Sequence, residues 1–278
     1  MRSSLNKAAT KKAVALTGLG TIEVTNPRWA WFWTAMLLCA AVVATFVPVG
    51  DVFFVNLDDS AYLLTPHIKG GVTCANLLWA TSSLEIYWQP ATWISHMVAW
   101  DIWSSNARGH RFTNVVFQAL AVAALCGWLK RWFGPSSIVV AGLWALHPLR
   151  VESVAWISER KDILSGLFGF STLILWERYK EAPSRQGYAL VVLTFGLALM
   201  SKPTVVALPL ALFLSDLWPA RRNLACRKLI IEKAPLFALS LGVSCLTIIG
   251  QRDTGHFNSC KFLSPFGCKM LSCRPPVI

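Results

Sequence analysis

Charged side chains are scarce in this chain of 278 residues. Asp, Glu, Lys and Arg make up 14% of the sequence, against about 25% in an ordinary soluble domain. Hydrophobic residues account for 55%, and they gather in long uncharged runs such as residues 29–49. This composition argues against a soluble fold and predicts a polytopic membrane protein.

Several signatures of catalysis and metal binding are also absent from the sequence. It contains no GxxxxGK[ST] phosphate loop, no HExxH, no GxSxG and no CxxC pair. The Gly18-Leu19-Gly20 stretch lacks the third glycine of a dinucleotide site. These absences argue against ATP-driven transport, a cysteine-based zinc site and a soluble hydrolase.

The acidic side chains are outnumbered by basic ones, 14 against 26. A nucleic-acid partner is not predicted, because that reading requires a basic face on a soluble fold. In a membrane protein the basic residues instead set the orientation. With the N-terminus inside and alternating spans, fifteen Lys and Arg fall on inside segments and seven on outside segments. The N-terminus is therefore predicted to be cytoplasmic, with residues 51–112 as the first exterior loop.

The hydrophobic runs predict an all-α, polytopic membrane helix bundle of about seven spans. The predicted spans are 29–49, 113–129, 136–149, 162–176, 187–201, 203–218 and 235–250. Residues 1–28 form a cytoplasmic segment, and 29–255 form the membrane domain. The aromatic stretch SSLEIYWQPATWISHMVAWDIW in the first exterior loop predicts interfacial helices, either as a plain aromatic belt or as a groove facing sugar or lipid. The tail 256–278 has no clear period, which suggests either a disordered end or, preferentially, the product of a truncated or frameshifted reading frame.

Two adjacent carboxylates, Asp58 and Asp59, open that exterior loop. Neighbouring carboxylates can supply a general base, because one ionised group raises the proton affinity of the other. The same residues also favour a turn or a helix cap. Both interpretations stay open at this point.

A charged connector, HPLRVESVAWISERKDIL, interrupts the apolar pattern at residues 147–164. If it is helical, Glu152 and Glu159 share a face, with Arg160 and Lys161 beside them. Cations at a membrane surface suit a phosphate or pyrophosphate headgroup, and the alternative is a solvated loop with internal ion pairs. Lys202, between two apolar runs, is a second candidate cation, although it could simply extend to the interface.

An ordered series of motifs carries a family resemblance from about Asn56 to Gly255. The series is LDDSAY, YWQPATWISHM, GHRFTN, LHPLRVESVAWISERKDILS, LMSKPTVVALPLALFLSDLWP and GQRDTG. It resembles the membrane half of bacterial tetratricopeptide-repeat membrane proteins. These are similar to the transmembrane and tetratricopeptide-repeat O-mannosyltransferases of the C-type glycosyltransferase superfamily. The resemblance implies inverting transfer of a sugar from a polyprenyl-phosphate carrier to a protein Ser or Thr on the exterior side.

The resemblance also implies roles for particular residues. The acidic pair of such enzymes lies at the active site, which carries over to Asp58 and Asp59, one of them as the base. The carrier phosphate would lie near Arg160, Lys161 and Lys202, supported by His147, Glu152 and Asp162. No metal is required, and a divalent ion at Asp58, Asp59 or Glu152 stays an alternative. The implied partners are the lipid bilayer, the polyprenyl-phosphate sugar and an acceptor protein, with the active face periplasmic at a bacterial inner membrane.

The sequence departs from that family in lacking any visible repeat of about 34 residues. A non-catalytic membrane assembly or scaffold protein is therefore a second hypothesis, and it would tolerate Asp58→Asn and Asp59→Asn. A transporter is a third, and it predicts ionisable residues deep within broken spans. The apolar runs here contain almost none.

Overall fold

The computed structural model describes residues 28–48, 59–84, 87–217 and 226–253, and within these ranges all regular structure is helical. Asp58 and the tail 256–278 lie outside the described residues. The α-helices, numbered in chain order, are α1 (Arg28–Phe46), α2 (Asp59–Leu63), α3 (Pro66–Lys69), α4 (Cys74–Ser82), α5 (Pro90–Trp103), α6 (Ala107–Phe133), α7 (Ser137–Ala145), α8 (Arg150–Ala155), α9 (Arg160–Glu181), α10 (Arg185–Ser201), α11 (Leu208–Leu217) and α12 (Cys226–Asp253). Short 3₁₀ turns at Gly134–Ser136 and Pro203–Ala207 precede α7 and α11.

Two stretches of the described chain are long and apolar enough to cross a membrane. They are Ala107–Ala145 and Arg227–Arg252. Two further apolar helical stretches, Trp31–Phe46 and Pro203–Leu217, are shorter. The all-helical fold class is thus confirmed, whereas the count of seven spans stays a prediction.

Helix α9 lies at the centre of the bundle and packs most extensively against α10 and α6. One core cluster joins α1, α6 and α7, and a second joins α9 to α10, α11 and α12. A third holds the short helices α2 to α5 together around Tyr62, Trp93 and Met97. The described part of the first loop, residues 59–84 and 87–112, is therefore packed together, and its predicted interfacial position stays a prediction.

The C-terminal end of α9 carries a buried polar cluster. Asp216 and Lys233 are fully buried and paired with each other. The Asp216 carboxylate also accepts a hydrogen bond from the Trp176 indole at 3.1 Å and lies 3.5 Å from the Lys180 ammonium. Because a 22-residue helix is about 33 Å long, this cluster is far from the charged connector at the other end of α9.

The charged connector is not one helix. Helix α8 ends at Ala155, residues 156–159 are non-helical, and α9 begins at Arg160. The prediction that Glu152 and Glu159 share a helical face is therefore wrong. The break turns Glu159 towards the interior while Glu152 stays exposed on α8.

The loop between α3 and α4 is held against α5 by Asp101, whose carboxylate accepts a hydrogen bond from the Val72 N–H at 3.0 Å. Gly71 has a φ of +64°, and a Cβ there would overlap that carboxylate. We expect Gly71→Ala to destabilise the protein by at least about 2 kcal/mol, because backbone strain and loss of the Asp101 contact combine. The measurement is thermal unfolding in detergent.

Gly134 provides the matched control for that prediction. Its φ is +54°, and a Cβ there would meet nothing within 4 Å. Gly134→Ala should therefore show backbone strain without the overlap of a neighbouring side chain. An unchanged free energy of unfolding in Gly71→Ala would contradict the prediction.

Candidate active site

Arg160, the first residue of α9, ties three segments together from a fully buried position. Its guanidinium donates hydrogen bonds to the Asn114 side-chain oxygen at 2.7 Å, the Ser95 carbonyl at 3.0 Å and the His110 carbonyl at 3.0 Å. Burial lowers the pKa of Arg160 to about 9, which leaves it charged at neutral pH. Its donors are directed at the protein, and its predicted contact with a carrier phosphate stays a prediction.

Asn114 of α6 extends this junction to the connector. Its amide nitrogen donates to the carbonyls of Val154 at 3.3 Å and Trp156 at 3.0 Å, so it satisfies acceptors left open where α8 ends. Thr92 of α5 donates to the Ser201 carbonyl at 3.0 Å. The motifs YWQPATWISHM, GHRFTN, ISERKD and MSKP, which are distant in sequence, therefore meet at one end of the bundle.

Asp59 is at the same junction, 1% exposed. Its carboxylate accepts a hydrogen bond from the backbone N–H of Ser158 at 3.1 Å. The guanidinium of Arg111, which is also buried, interacts electrostatically with that carboxylate. Asp59 thus joins the first loop to the break between α8 and α9. The role of base predicted for Asp58 or Asp59 stays a prediction.

Lys161 and Lys202 converge on the Glu159 carboxylate. Lys161 Nζ lies 2.8 Å from one Glu159 oxygen, and Lys202 Nζ lies 3.9 Å from the other. Lys202 also pairs with Asp162. Lys202 precedes Pro203 and adopts an extended backbone (φ −151°, ψ 125°), because a residue before proline is disfavoured in the α region. This conformation ends α10 and turns Lys202 towards the start of α9.

Lys161 also contacts Tyr62 of α2. Its ammonium donates to the Tyr62 hydroxyl at 3.4 Å and lies 5.0 Å from the ring centroid. Burial lowers the pKa of Lys161, but the bonds to Glu159 and Tyr62 outweigh it, so the net pKa is raised above the usual 10.5. Lys161 is consequently an ammonium ion at neutral pH, and its ion pair is lost only as the pH rises beyond that value.

A cavity of about 550 Å³, here called the lysine cavity, opens beside these cations. It lies between the start of α9, the 3₁₀ turn after α10, and α12. Its lining residues are Tyr87, Gln89, Glu159, Lys161, Lys202, Pro203, Thr204, Val206, Ser244, Thr247 and Ile248. The volume is in the range of small-molecule sites. Its walls combine two cations with an apolar face.

Asp162, the partner of Lys202, lines a second cavity of about 340 Å³ together with Trp144, Arg150 and Phe170. His147 is exposed in the turn before α8, where its Nδ1 accepts the Leu149 N–H at 3.2 Å. Glu152 is exposed on α8. Neither residue lines the lysine cavity, and their supporting roles stay predictions.

The site includes residues that the sequence reasoning did not select. Tyr62 belongs to the LDDSAY motif and Gln89 to YWQPATWISHM, but their contact across 27 positions is tertiary. Ser244 and Thr247 lie in the apolar run 235–250, where nothing in the sequence pattern indicates a role in a binding site. Within the described ranges no group of three or more His, Cys, Asp or Glu side chains is arranged to hold a metal.

Comparison with known proteins identifies the family of this chain. Residues 90–247 match the family model described as dolichyl-phosphate-mannose-protein mannosyltransferase. The match covers more than half of the chain, which therefore belongs to this family. Comparisons with curated proteins and with solved structures find no match. The match begins at Pro90, after Asp58 and Asp59, and includes Arg160, Lys161 and Lys202.

The family and the apolar helices together indicate a membrane protein, and the family indicates a glycosyltransferase of the mannosyltransferase type. The predicted relation to mannosyltransferases is thereby confirmed. The tetratricopeptide-repeat relatives and the bacterial origin stay predictions.

Proposed function

We propose that the protein transfers a sugar from a polyprenyl-phosphate carrier to a Ser or Thr hydroxyl of an acceptor protein on the exterior face of the membrane. The family to which the chain belongs favours mannose as that sugar. The observation that carries this proposal is the lysine cavity, where Lys161 and Lys202 converge on one anionic group beside an apolar wall.

The two lysines suit a phosphate because they already contact one carboxylate together. The Glu159 carboxylate lies within ion-pair distance of both ammonium groups, at 2.8 and 3.9 Å, which supports simultaneous contact of both with a single anion. Lys202 is 27% exposed at its side chain and Lys161 is 11% exposed. Ammonium–phosphate contacts are charge-assisted and stronger than neutral hydrogen bonds.

The apolar wall supports a lipid-borne substrate. Val206 and Ile248 line the cavity, and Ile248 is 46% exposed on the outer surface of α12. Leu241 and Ile249 on the same helix are also exposed. An exposed apolar helix face within a membrane contacts lipid, so a polyprenyl chain can reach the cavity along α12 while its phosphate meets the lysines.

The proposed reaction is a single displacement. The acceptor hydroxyl oxygen bonds to the anomeric carbon as the bond from that carbon to the phosphate oxygen breaks. The bonding electron pair leaves with the polyprenyl phosphate, where Lys161 and Lys202 stabilise the charge. The hydroxyl proton passes to the carboxylate of Asp58 or Asp59. This sequence of events inverts the anomeric configuration and needs no metal.

The test is transfer of radiolabelled mannose from polyprenyl-phosphate mannose to acceptor protein in membranes, with Lys202→Met as the variant. We expect the KM for the donor to rise about ten- to a hundredfold, as for a lost hydrogen bond between charged groups. Lys228→Met is the matched control, because Lys228 is exposed at the start of α12.

Unchanged donor KM in well-expressed Lys202→Met would overturn the assignment of the carrier phosphate to the lysine cavity. Absence of transfer by the unmodified protein, across mannose, glucose and N-acetylglucosamine donors, would favour the scaffold hypothesis instead.

A further inference from the structure

Gln89 has an unusual environment for a buried amide. It is 0% exposed, lines the lysine cavity and immediately precedes α5. Its Nε2 donates to the Tyr62 hydroxyl at 2.9 Å. Its Oε1 has no hydrogen-bond partner among the residues that the structure describes, although buried carbonyl oxygens are nearly always paired.

Helix capping does not account for the buried side chain of Gln89. It occupies the N-cap position of α5, but its side chain makes no capping hydrogen bond. Exchange of its amide oxygen and nitrogen would leave the NH₂ group without a partner in place of the oxygen. In both orientations one polar atom of the amide is left for a group in the cavity.

A ligand hydroxyl is the group that fits both orientations, because it can donate to the amide oxygen or accept from the amide nitrogen. A phosphate ester oxygen only accepts, so it fits one orientation alone. The Tyr62 hydroxyl contacts both Gln89 Nε2 and Lys161 Nζ. The Gln89 amide therefore lies close to Lys161, one of the two cations proposed to bind the phosphate.

The opposite wall supplies further acceptors. Ser244 and Thr247 of α12 line the cavity, and each hydroxyl donates to a carbonyl of its own helix, at 2.8 and 2.9 Å. Each hydroxyl oxygen therefore keeps acceptor capacity for a ligand. The lining of the cavity thus includes hydrogen-bonding groups from two elements, the segment before α5 and α12, in addition to Lys161.

We propose that Gln89 binds a hydroxyl of the sugar while Lys161 and Lys202 bind the carrier phosphate, so that the cavity distinguishes a glycosylated carrier from the bare polyprenyl phosphate. This inference rests on the proposed function. Gln89 is then a specificity-determining residue. Because the bare polyprenyl phosphate released by the reaction binds more weakly, it competes less with the glycosylated donor.

The test compares binding of polyprenyl-phosphate mannose and bare polyprenyl phosphate to the full-length protein in lipid nanodiscs. We expect the unmodified protein to prefer the glycosylated carrier about tenfold, the effect of one buried hydrogen bond. Gln89→Leu should remove that preference without changing affinity for the bare phosphate. Lys202→Met should weaken binding of both ligands about equally.

Gln118→Leu is the matched control, because Gln118 of α6 is also a fully buried glutamine whose amide atoms have no hydrogen-bond partner in the described part of the chain, but it does not line the cavity. It should keep the tenfold preference. A preference retained by Gln89→Leu would overturn this inference and leave the proposed function standing. Failure of the unmodified protein to bind either ligand would overturn the proposed function as well.

A second measurement on the unmodified protein does not depend on the folding of Gln89→Leu. Donors that lack one sugar hydroxyl at a time are compared with the parent donor. We expect one deoxy donor to bind about tenfold more weakly. Equal binding of every deoxy donor would overturn the inference.

Discussion

Combined replacement of Asp58 and Asp59 by asparagine is expected to lower the rate of mannosyl transfer by at least about a hundredfold. General-base catalysis contributes about 10²- to 10⁴-fold, and an asparagine amide cannot take the proton from the acceptor hydroxyl. Asparagine keeps an oxygen that can accept the Ser158 N–H bonded to Asp59. The double substitution should therefore lower kcat and leave donor binding unchanged.

The measurement is the transfer assay with matched expression levels, together with the single variants Asp58→Asn and Asp59→Asn. The single variant that reproduces the double effect identifies the base. Glu181→Gln is the control, because this exposed carboxylate lies at the opposite end of α9. A double variant with undiminished transfer would rule out the acidic pair as the base.

Arg160→Gln has the second large expected effect, on stability. The substitution removes a buried charge that donates hydrogen bonds to two other helices, α5 and α6, and it leaves the Ser95 and His110 carbonyls and the Asn114 oxygen without their donor. Breaking a buried charged contact of this kind typically costs about 3–5 kcal/mol. Arg160→Lys should recover only part of the loss, because an ammonium lacks the planar fork that reaches three acceptors.

Thermal unfolding in detergent, followed by tryptophan fluorescence, checks this prediction. Arg178→Gln is the control, because Arg178 is exposed near the other end of α9, and exposed substitutions stay within about 0.5 kcal/mol. If Arg160→Gln unfolds like Arg178→Gln but shows a raised donor KM, Arg160 contacts the carrier phosphate. That outcome would contradict its role as a junction between segments.

The charged connector shows how far sequence reasoning could reach. Its residue types suited a phosphate-binding site and a solvated loop equally, and the structure places Lys161 of the connector with Lys202 in the lining of one cavity. Its shape could not be predicted, because the break at residues 156–159 depends on partners outside the connector. Asn114 satisfies the open carbonyls, and Asp59 takes the Ser158 N–H.

The sequence by itself determined the class of fold, the membrane character and the set of polar motifs, because composition and long apolar runs are local properties of the chain. Tertiary structure alone decided that Arg160 points inward while Lys161 faces the cavity. It also decided that Gln89 reaches Tyr62 and that α12 forms a wall of the site. The physical reason is that helices which are apolar all round carry little periodic signal about which face is buried. Only the assembled bundle shows which polar groups find partners and which are left for a ligand.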